Sequence, residues 1–330
     1  MKKYSIAVLI LIISAVFVSC DTYDFEQEEY KHEVYLLSNN ELMYDRQVAD
    51  LKSEGDTIYL VAGLSGSQLS SETFKVALEE SDSLFNAYNK SNFDIDSARF
   101  ARLLPKECYT FPEMEKEIPA GENSVRFPIC LKNLERLSPD SIYLLNYKID
   151  TTKTKKFNPR KQEVLIRIYK KNEFSTTQRN TYYNYFSSYI ITPGPTPIVR
   201  RPTSTNQVFP LGENSVRLLA GDETFGDYKS ALEKINKMSI KVTVGEKTPQ
   251  NPLARTLTIE PYKDIDVVQL PPLKEYNNTY LINIISTPDG RKTYYKEFRL
   301  HYKYRLEEND PYKEVQAILR MEYNPRSELL

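Results

Sequence analysis

The sequence has no tryptophan, and its 330 residues include only two histidines, three cysteines and ten glycines. The histidines, His32 and His301, are far apart in alternating strand-like patterns, so a shared acid–base or metal site is not expected. Motifs of serine hydrolases, zinc proteases and phosphate-binding loops are missing as well. These absences predict a chain with no catalytic residues, no bound metal and no cofactor.

Paired carboxylates could still support glycoside hydrolysis, and the candidates are Asp94-Ile95-Asp96 and Asp264-Ile265-Asp266. Pairs of this kind are usually ordinary loop residues. The chain also lacks the tryptophan that commonly lines sugar subsites, and no alternation of strands and helices predicts a catalytic barrel. We therefore interpret the protein as one that is not an enzyme.

Neither sign of charge is in excess, since 44 lysines and arginines face 45 acidic residues and the net charge is -1. The two signs are interspersed, so no basic field exists to attract a phosphate backbone. The charge pattern excludes nucleic acid as a partner.

The N-terminus has the order of a secretory signal: Lys2-Lys3, an apolar run over 6–18, and Ser19-Cys20. The run is too short to span a bilayer, which needs roughly 20 helical residues. Phe17-Val18-Ser19-Cys20 resembles the lipobox of bacterial lipoproteins, although Phe17 replaces the preferred leucine. We therefore predict a signal peptide over 1–19 and lipidation of Cys20, whose acyl chains would anchor the protein to a membrane.

Residues 20–30 are polar and rich in Asp and Glu, which predicts a tether that cannot bury a core. The acidic stretch resembles the surface-export signals of Bacteroidetes lipoproteins. It could also be an ordinary solvated linker. The favoured localisation is the outer membrane, with the lipid-anchored chain facing the cell surface.

Short segments that alternate apolar and polar residues recur along the rest of the chain. This period of two, with β-branched and aromatic enrichment, predicts strands with one buried face. The regular spacing of the strands predicts an all-β protein of two tandem immunoglobulin-like β-sandwich domains. The predicted strands lie at 32–37, 56–62, 73–79, 124–131, 142–149, 163–169, 215–219, 239–244, 255–259, 279–285, 294–305 and 314–323.

We place the first domain at 31–172 and the second, β-rich domain at 173–330, with a proline-rich loop near 192–205. The segment 314–323 could be mistaken for a helix. Its apolar residues Val315, Ala317, Leu319 and Met321 are two apart, which predicts a closing strand.

Cys108 and Cys130 are the cysteines that remain apart from Cys20. In an oxidising compartment they could form a disulfide, and burial as two small apolar side chains is the equal alternative. No spacing typical of a zinc site is present.

Tyrosine is abundant, with 25 residues, and it clusters in the segment 182–189. Sugar rings stack their CH faces on flat aromatic side chains, and polar neighbours bind the hydroxyls. Tyr182, Tyr183, Tyr185 and Tyr189 are therefore the candidate ligand-binding residues. The alternative is that these tyrosines pack on the sheet as core or edge residues. A second segment of this type is 276–280.

Several short motifs resemble one family, namely His32-Glu33-Val34-Tyr35-Leu36, Leu104-Pro105 with Tyr109, Ile118-Pro119-Ala120-Gly121 and Tyr143-Leu144-Leu145. Together they look like the N-terminal β-domain of Bacteroidetes lipoproteins encoded in polysaccharide-utilisation loci, a domain that also precedes some secreted endo-glycosidases. The resemblance covers about residues 30–170. It implies a surface accessory of a Sus-type uptake system that binds a polysaccharide without catalysis and could join the uptake-porin complex. The alternative is a structural or adhesive lipoprotein that binds protein partners through β-sheet edges.

Overall fold

The computed structural model describes residues 31–325 except 53, 204, 225–230 and 250. The predicted signal peptide, Cys20 and tether therefore lie outside the described residues. Within the described residues, neither α-helix combines the length and the hydropathy that a membrane crossing requires. The described chain is mostly β-structure in two domains, as the alternating patterns predicted.

In its described residues, the first domain contains eleven strands and one α-helix, α1 (Ser83–Phe93). The strands are β1 (Val34–Leu36), β2 (Met43–Tyr44), β3 (Val48–Asp50), β4 (Asp56–Leu64), β5 (Phe74–Glu80), β6 (Arg102–Leu103), β7 (Tyr109–Thr110), β8 (Glu115–Ile118), β9 (Ser124–Leu131), β10 (Tyr143–Ile149) and β11 (Glu163–Lys171).

Two sheets enclose the core of this domain. One has the order β1-β4-β9-β7, and the other has the order β2-β11-β10-β5-β8, with β3 paired to β11 and β6 to β10. Alternate residues of β4 and β9, such as Ile58, Leu60 and Phe127, point into one continuous hydrophobic core. Their neighbours in sequence face solvent, as the period of two requires.

Helix α1 was not predicted from the sequence, because its residues do not show a strong apolar stripe. It is held by a buried amide: Asn89 donates to the carbonyl of Ala101 at 3.1 Å and accepts from the Ala101 N–H at 2.8 Å. Leu84, Phe85 and Tyr88 pack against a small cluster that includes Leu144. These contacts join residues far apart in sequence, so no local sequence pattern predicts the helix.

The second domain contains the other helix, α2 (Ala231–Met238), and the remaining strands. These are β12 (Tyr182–Thr192), β13 (Ile198–Arg200), β14 (Thr205–Gln207), β15 (Phe209–Gly212), β16 (Ser215–Leu219), β17 (Ser239–Thr248), β18 (Asn251–Pro261), β19 (Asp266–Gln269), β20 (Thr279–Ser286), β21 (Lys292–Arg305) and β22 (Lys313–Tyr323).

All of these strands belong to one eleven-stranded sheet of order β13-β12-β22-β21-β20-β18-β17-β16-β15, with β14 on β12 and β19 on β21. Because β14 pairs with β12 while β15, just after it in sequence, pairs with β16, the two ends of the sheet meet. Register shifts in β12 and in the β17–β18 pair provide the bends that this curling needs. The sheet therefore curls around its own core.

The second domain thus departs from the predicted two-sheet sandwich, since its strands form a single sheet. The closing strand is confirmed, because 313–323 forms β22 with Val315, Ala317 and Leu319 in the core. The proline-rich region is only partly a loop: β13 within it pairs antiparallel to β12, and β14 begins at its end.

Of the two alternatives left open for Cys108 and Cys130, the disulfide is not formed in the structure, where both thiols are free. Cys108 is buried, whereas Cys130 is exposed on the outer face of β9. Cys108, in the turn before β7, is part of the core, whereas the side chain of Cys130 faces solvent. The buried alternative holds for Cys108 alone.

An aromatic cluster forms the centre of the second core. Phe298 is fully buried, and the ring centroids of Phe174, Tyr183 and Tyr280 lie 5.8, 5.3 and 5.2 Å from its own. These separations are typical of favourable edge-to-face and tilted pairs.

We predict that Phe298→Ala lowers the free energy of unfolding by about 3–5 kcal/mol, because it removes buried surface and leaves a cavity. Urea unfolding followed by circular dichroism would measure the change. The control is Tyr59→Ala, since Tyr59 is exposed on β4 and its loss should cost no more than about 0.5 kcal/mol. A loss below about 1 kcal/mol for Phe298→Ala would contradict this core.

Candidate functional site

Three side chains of β12 form a row on the outer face of the curled sheet, and we call Tyr182, Asn184 and Phe186 the aromatic row. Tyr182 and Phe186 are 45% and 46% exposed, and Asn184 between them is exposed as well. Residues two apart on a strand share a face, so the three side chains project in the same direction. The row offers two flat apolar rings with an amide between them.

A stacked arginine supports one end of the row. The guanidinium carbon of Arg320, on the neighbouring strand β22, lies 3.7 Å from the centroid of the Phe186 ring and 4.8 Å from that of Tyr295. Both contacts are within the range of cation–π attraction. Arg320 therefore packs against Phe186, which remains 46% exposed.

A buried carboxylate holds this arginine in place. Glu297 is fully buried and accepts from Arg320 Nε at 2.6 Å, Arg299 at 2.9 Å and the amide of Asn283 at 2.9 Å. Charge-assisted bonds to a carboxylate whose oxygens are all engaged restrict the motion of the donors. The network makes the surface behind Phe186 rigid.

The row ends at a bulge. The pairing of β12 with β22 shifts between Phe186 and Tyr189, and Ser187 there has a positive φ of 45°. The hydroxyl of Ser188 accepts from the backbone N–H of Ile318 at 3.0 Å, and the hydroxyl of Tyr276 donates to the Ser187 carbonyl at 2.6 Å. These bonds satisfy backbone groups that the bulge takes out of the ladder.

Two of the four predicted ligand-binding tyrosines point inward. Tyr183 is fully buried and its hydroxyl donates to the Phe174 carbonyl at 2.9 Å. Tyr185 donates to the Gly221 carbonyl, and burial raises the pKa of its phenol. Both rings pack in or against the core, so neither belongs to the exposed aromatic row.

The other two predicted tyrosines differ from each other. Tyr182 is exposed in the aromatic row, whereas Tyr189 is half-buried and lies beyond the bulge, with the guanidinium carbon of Arg201 5.5 Å from its ring centroid. Phe186 and Asn184 were not among the four predicted residues. The period of two would have grouped them with Tyr182, had the segment been taken as a strand with a defined inner face.

The segment 276–280 does not form a second exposed cluster. Tyr276 is 8% exposed and Tyr280 is 1% exposed, and Asn278 is buried with its amide donating to the Leu270 carbonyl at 2.8 Å. These side chains therefore stabilise the sheet next to the bulge and leave no exposed aromatic surface.

A groove of about 520 Å³ lies between the two domains. The first domain contributes Phe93, Phe100, Arg167 and Tyr169, among others, and the second contributes residues of β14, β15, β16 and α2. Gln207 connects the groove with the aromatic row, because it lines the groove and is the pairing partner of Tyr182 in the sheet. The groove and the aromatic row are therefore adjacent.

Buried charges hold the domain junction together. Arg217 of the second domain donates to the carboxylate of Asp140 in the first at 2.7 Å, and both side chains are almost fully buried. Nearby, Lys170 donates from Nζ to the Leu137 carbonyl at 2.7 Å. The cost of burying these charges exceeds the attraction between them and their charged neighbours. The pKa of Asp140 is therefore raised, and the pKa of Lys170 is lowered to about 8.

Two of the sequence candidates for catalysis, His301 and Asp266, have structural partners. His301 bonds through Nδ1 to the Pro271 carbonyl at 2.6 Å and through Nε2 to Glu314 at 3.0 Å, while His32 lies in the other domain. Asp266 accepts from Arg305 and Tyr312, at 2.5 and 2.7 Å. In the part of the chain that the structure describes, no three His, Cys, Asp or Glu residues gather as metal ligands.

Two family models match the chain. One is described as an N-terminal domain and matches residues 30–156, and the other is described as C-terminal and matches 162–320. The first model is similar to the first part of the chain and the second to the remainder. Each of the two matches falls mainly within one of the two domains.

Solved structures from Bacteroides share the fold along most of its length. A Bacteroides ovatus protein of unknown function aligns with a TM-score of 0.61 at 16% identity, covering 88% of this chain and 92% of its own. A multidomain protein including DUF1735, from the same species, aligns with a TM-score of 0.60 at 15% identity, over 88% and 94%. The predicted resemblance to Bacteroides β-proteins is confirmed.

A third solved structure with this fold is that of a binding protein. It is an auxiliary nutrient binding protein from Bacteroides thetaiotaomicron, with a TM-score of 0.57 at 14% identity, covering 89% of this chain and 95% of its own. At identities this low, the structural alignments establish a common fold alone. No curated protein matches this sequence.

The buried amine of Lys170 predicts a specific pH dependence. Its ordinary pKa is 10.5 and its folded pKa is about 8, so between these values the unfolded chain binds more protons than the folded one. The free energy of unfolding should therefore rise with pH across this window. From pH 7 to 10 we expect the wild type to gain about 2–3 kcal/mol relative to Lys170→Met.

Urea unfolding at both pH values, for wild type and Lys170→Met, measures this gain. Lys132→Met, which removes an exposed amine, should leave the pH dependence unchanged. Identical pH profiles for wild type and Lys170→Met would show that the amine of Lys170 is not buried as described.

Proposed function

We propose that this protein binds glycan without catalysis on the bacterial surface, as an accessory of a polysaccharide uptake system. The observation that carries the proposal is the aromatic row, in which Tyr182 and Phe186 expose flat rings on either side of Asn184. The auxiliary nutrient binding protein that shares this fold supports binding as the function.

The geometry of the row suits a sugar chain. Residues four apart on a strand are separated by about 13 Å, a span that more than one sugar ring would fill. Pyranose rings present apolar CH faces that stack on Tyr182 and Phe186, while the amide of Asn184 can both donate to and accept from their hydroxyls. The row is open rather than enclosed, which favours the internal part of a polysaccharide.

Preorganisation supports the same proposal. Arg320 and Glu297 hold the Phe186 side of the row before any ligand arrives, so less side-chain entropy is lost on binding. Nothing in this arrangement activates water or a nucleophile. The row can bind a glycan but supplies no group to cleave it.

We predict that Tyr182→Ala and Phe186→Ala each weaken glycan binding by about tenfold, since a stacked ring contributes on the order of 1 kcal/mol beyond its buried area. Affinity electrophoresis against plant, host-mucin and yeast glycans would identify a ligand, and calorimetry would then measure the affinities. Tyr59→Ala is the matched control, because Tyr59 is similarly exposed, at 39%, on a different domain.

Lack of retardation by every glycan in the panel would reject the proposal. Recovery of stoichiometric protein partners without glycan binding would favour instead a structural role. In that case the exposed edge strand β13, with Ile198 and Val199 exposed by 65% and 58%, is the first surface to mutate.

The proposal also includes the lipid anchor on Cys20, which lies outside the described residues. We expect labelled palmitate to enter the wild-type protein in cells and to be absent from Cys20→Ala, because the acylated thiol is lost. Cys130→Ala removes the exposed thiol of the described residues and should label normally. Equal labelling of the Cys20→Ala variant would exclude the anchor.

A further inference from the structure

The interdomain groove is placed to receive part of a glycan that lies on the aromatic row. Gln207 pairs with Tyr182 across β14 and β12 and also lines the groove. Its amide donates to Asn180 Oδ1 at 3.1 Å, and Asn180 lines the groove as well. A chain stacked on Tyr182 would therefore pass directly into the groove.

The groove has the size and the lining of a ligand site. Its volume of about 520 Å³ lies within the usual range for pockets that hold small molecules. Phe93 and Phe100, both half-buried, and the exposed Leu232 provide apolar surface for a sugar ring. The polar groups beside them would determine which sugar fits.

The fixed charges of the groove favour an anion. The side chains that line it include three arginines, Arg99, Arg167 and Arg217, against two carboxylates, Asp96 and Asp140. Arg217 and Asp140 neutralise each other in their buried pair. The remaining balance is positive.

Arg167 is the arginine that is arranged to bind. Its guanidinium carbon lies 4.8 Å from the centroid of the Tyr169 ring. Among the described residues, no carboxylate lies within salt-bridge distance of this guanidinium. An arginine stacked on a ring keeps its edge N–H groups available, and their planar fork matches carboxylate and sulfate oxygens in a bidentate contact.

We propose that the groove recognises an anionic substituent of the glycan, the carboxylate of a uronic acid or a sulfate ester, through Arg167. This deepens the proposed function and depends on it. The aromatic row would bind neutral faces of the sugar chain, and Arg167 would select acidic chains over neutral ones.

The test uses the full mature protein and paired probes, with calorimetry as the readout. Polygalacturonate, alginate and unsulfated chondroitin present carboxylates, and each is compared with its carboxyl-reduced, neutral form. Chondroitin sulfate and dextran sulfate, compared with chondroitin and dextran, separate sulfate from carboxylate recognition. Raising the salt concentration should weaken binding of the acidic member of a pair more than that of the neutral one.

Arg167→Met should weaken binding of the preferred acidic glycan at least about tenfold and leave binding of its neutral form unchanged. Arg167→Lys keeps the charge without the planar fork and should recover only part of the affinity. Arg160→Met, which removes an exposed arginine of the same domain, should have no effect. Unchanged melting temperatures for these variants would show that the fold is intact.

Equal affinity for acidic and carboxyl-reduced or desulfated glycans, or binding of neutral glycans alone, would overturn the role of Arg167 and leave glycan binding standing. Loss of acidic-glycan binding in Tyr182→Ala but not in Arg167→Met would do the same. No binding to any probe would remove both.

Discussion

The pairing of β12 with β22 decides which side chains of the tyrosine-rich segment reach solvent. Side chains alternate strictly between the faces of a strand, so a slip of one residue would turn Tyr182 and Phe186 inward and expose Tyr183 and Tyr185. The hydroxyl of Tyr183, bonded to the Phe174 carbonyl, and the aromatic packing around Phe298 oppose that slip. The candidate binding surface is therefore a consequence of how the core is filled.

Behind the surface, a buried charge network replaces part of the usual hydrophobic support. Burying the carboxylate of Glu297 is costly, and the hydrogen bonds donated by the side chains of Arg320, Arg299 and Asn283 offset the cost. The same bonds position Arg320 against Phe186. The same contacts therefore stabilise the sheet and set the shape of its outer face.

At the domain junction, the interactions of the buried charges do not fully offset the cost of burying them. Around Asp140 and Lys170 the cost of burial exceeds the attraction between charges, as the shifted pKa values show. The pair of Arg217 and Asp140 nevertheless fixes how the domains meet, because either charge alone would be left buried without a partner. The groove exists only where the two domains face each other, so neither domain contains it alone.

Local periodicity predicted much of the fold. The strands β4, β9 and β22 follow the alternation of their apolar residues, and the closing strand could be distinguished from a helix on that basis. β10 and β11 are buried on both faces. Helix α1 could not be predicted, since Asn89 and its bonds to Ala101 depend on packing rather than on an apolar stripe. Sequence spacing alone also left the disulfide open, whereas in the structure Cys108 is buried, Cys130 is exposed and both thiols are free.

By itself, the sequence determined that the chain is mostly β-structure, that it divides into two domains, and that one segment concentrates tyrosines, because composition and a period of two are local properties. The tertiary structure alone decided that Tyr182 and Phe186 face solvent while Tyr183 and Tyr185 do not. It alone placed Arg320 behind the row and Arg167 in the groove. Strand register, sheet curling and domain docking join residues that are distant in sequence, and no short pattern contains that information.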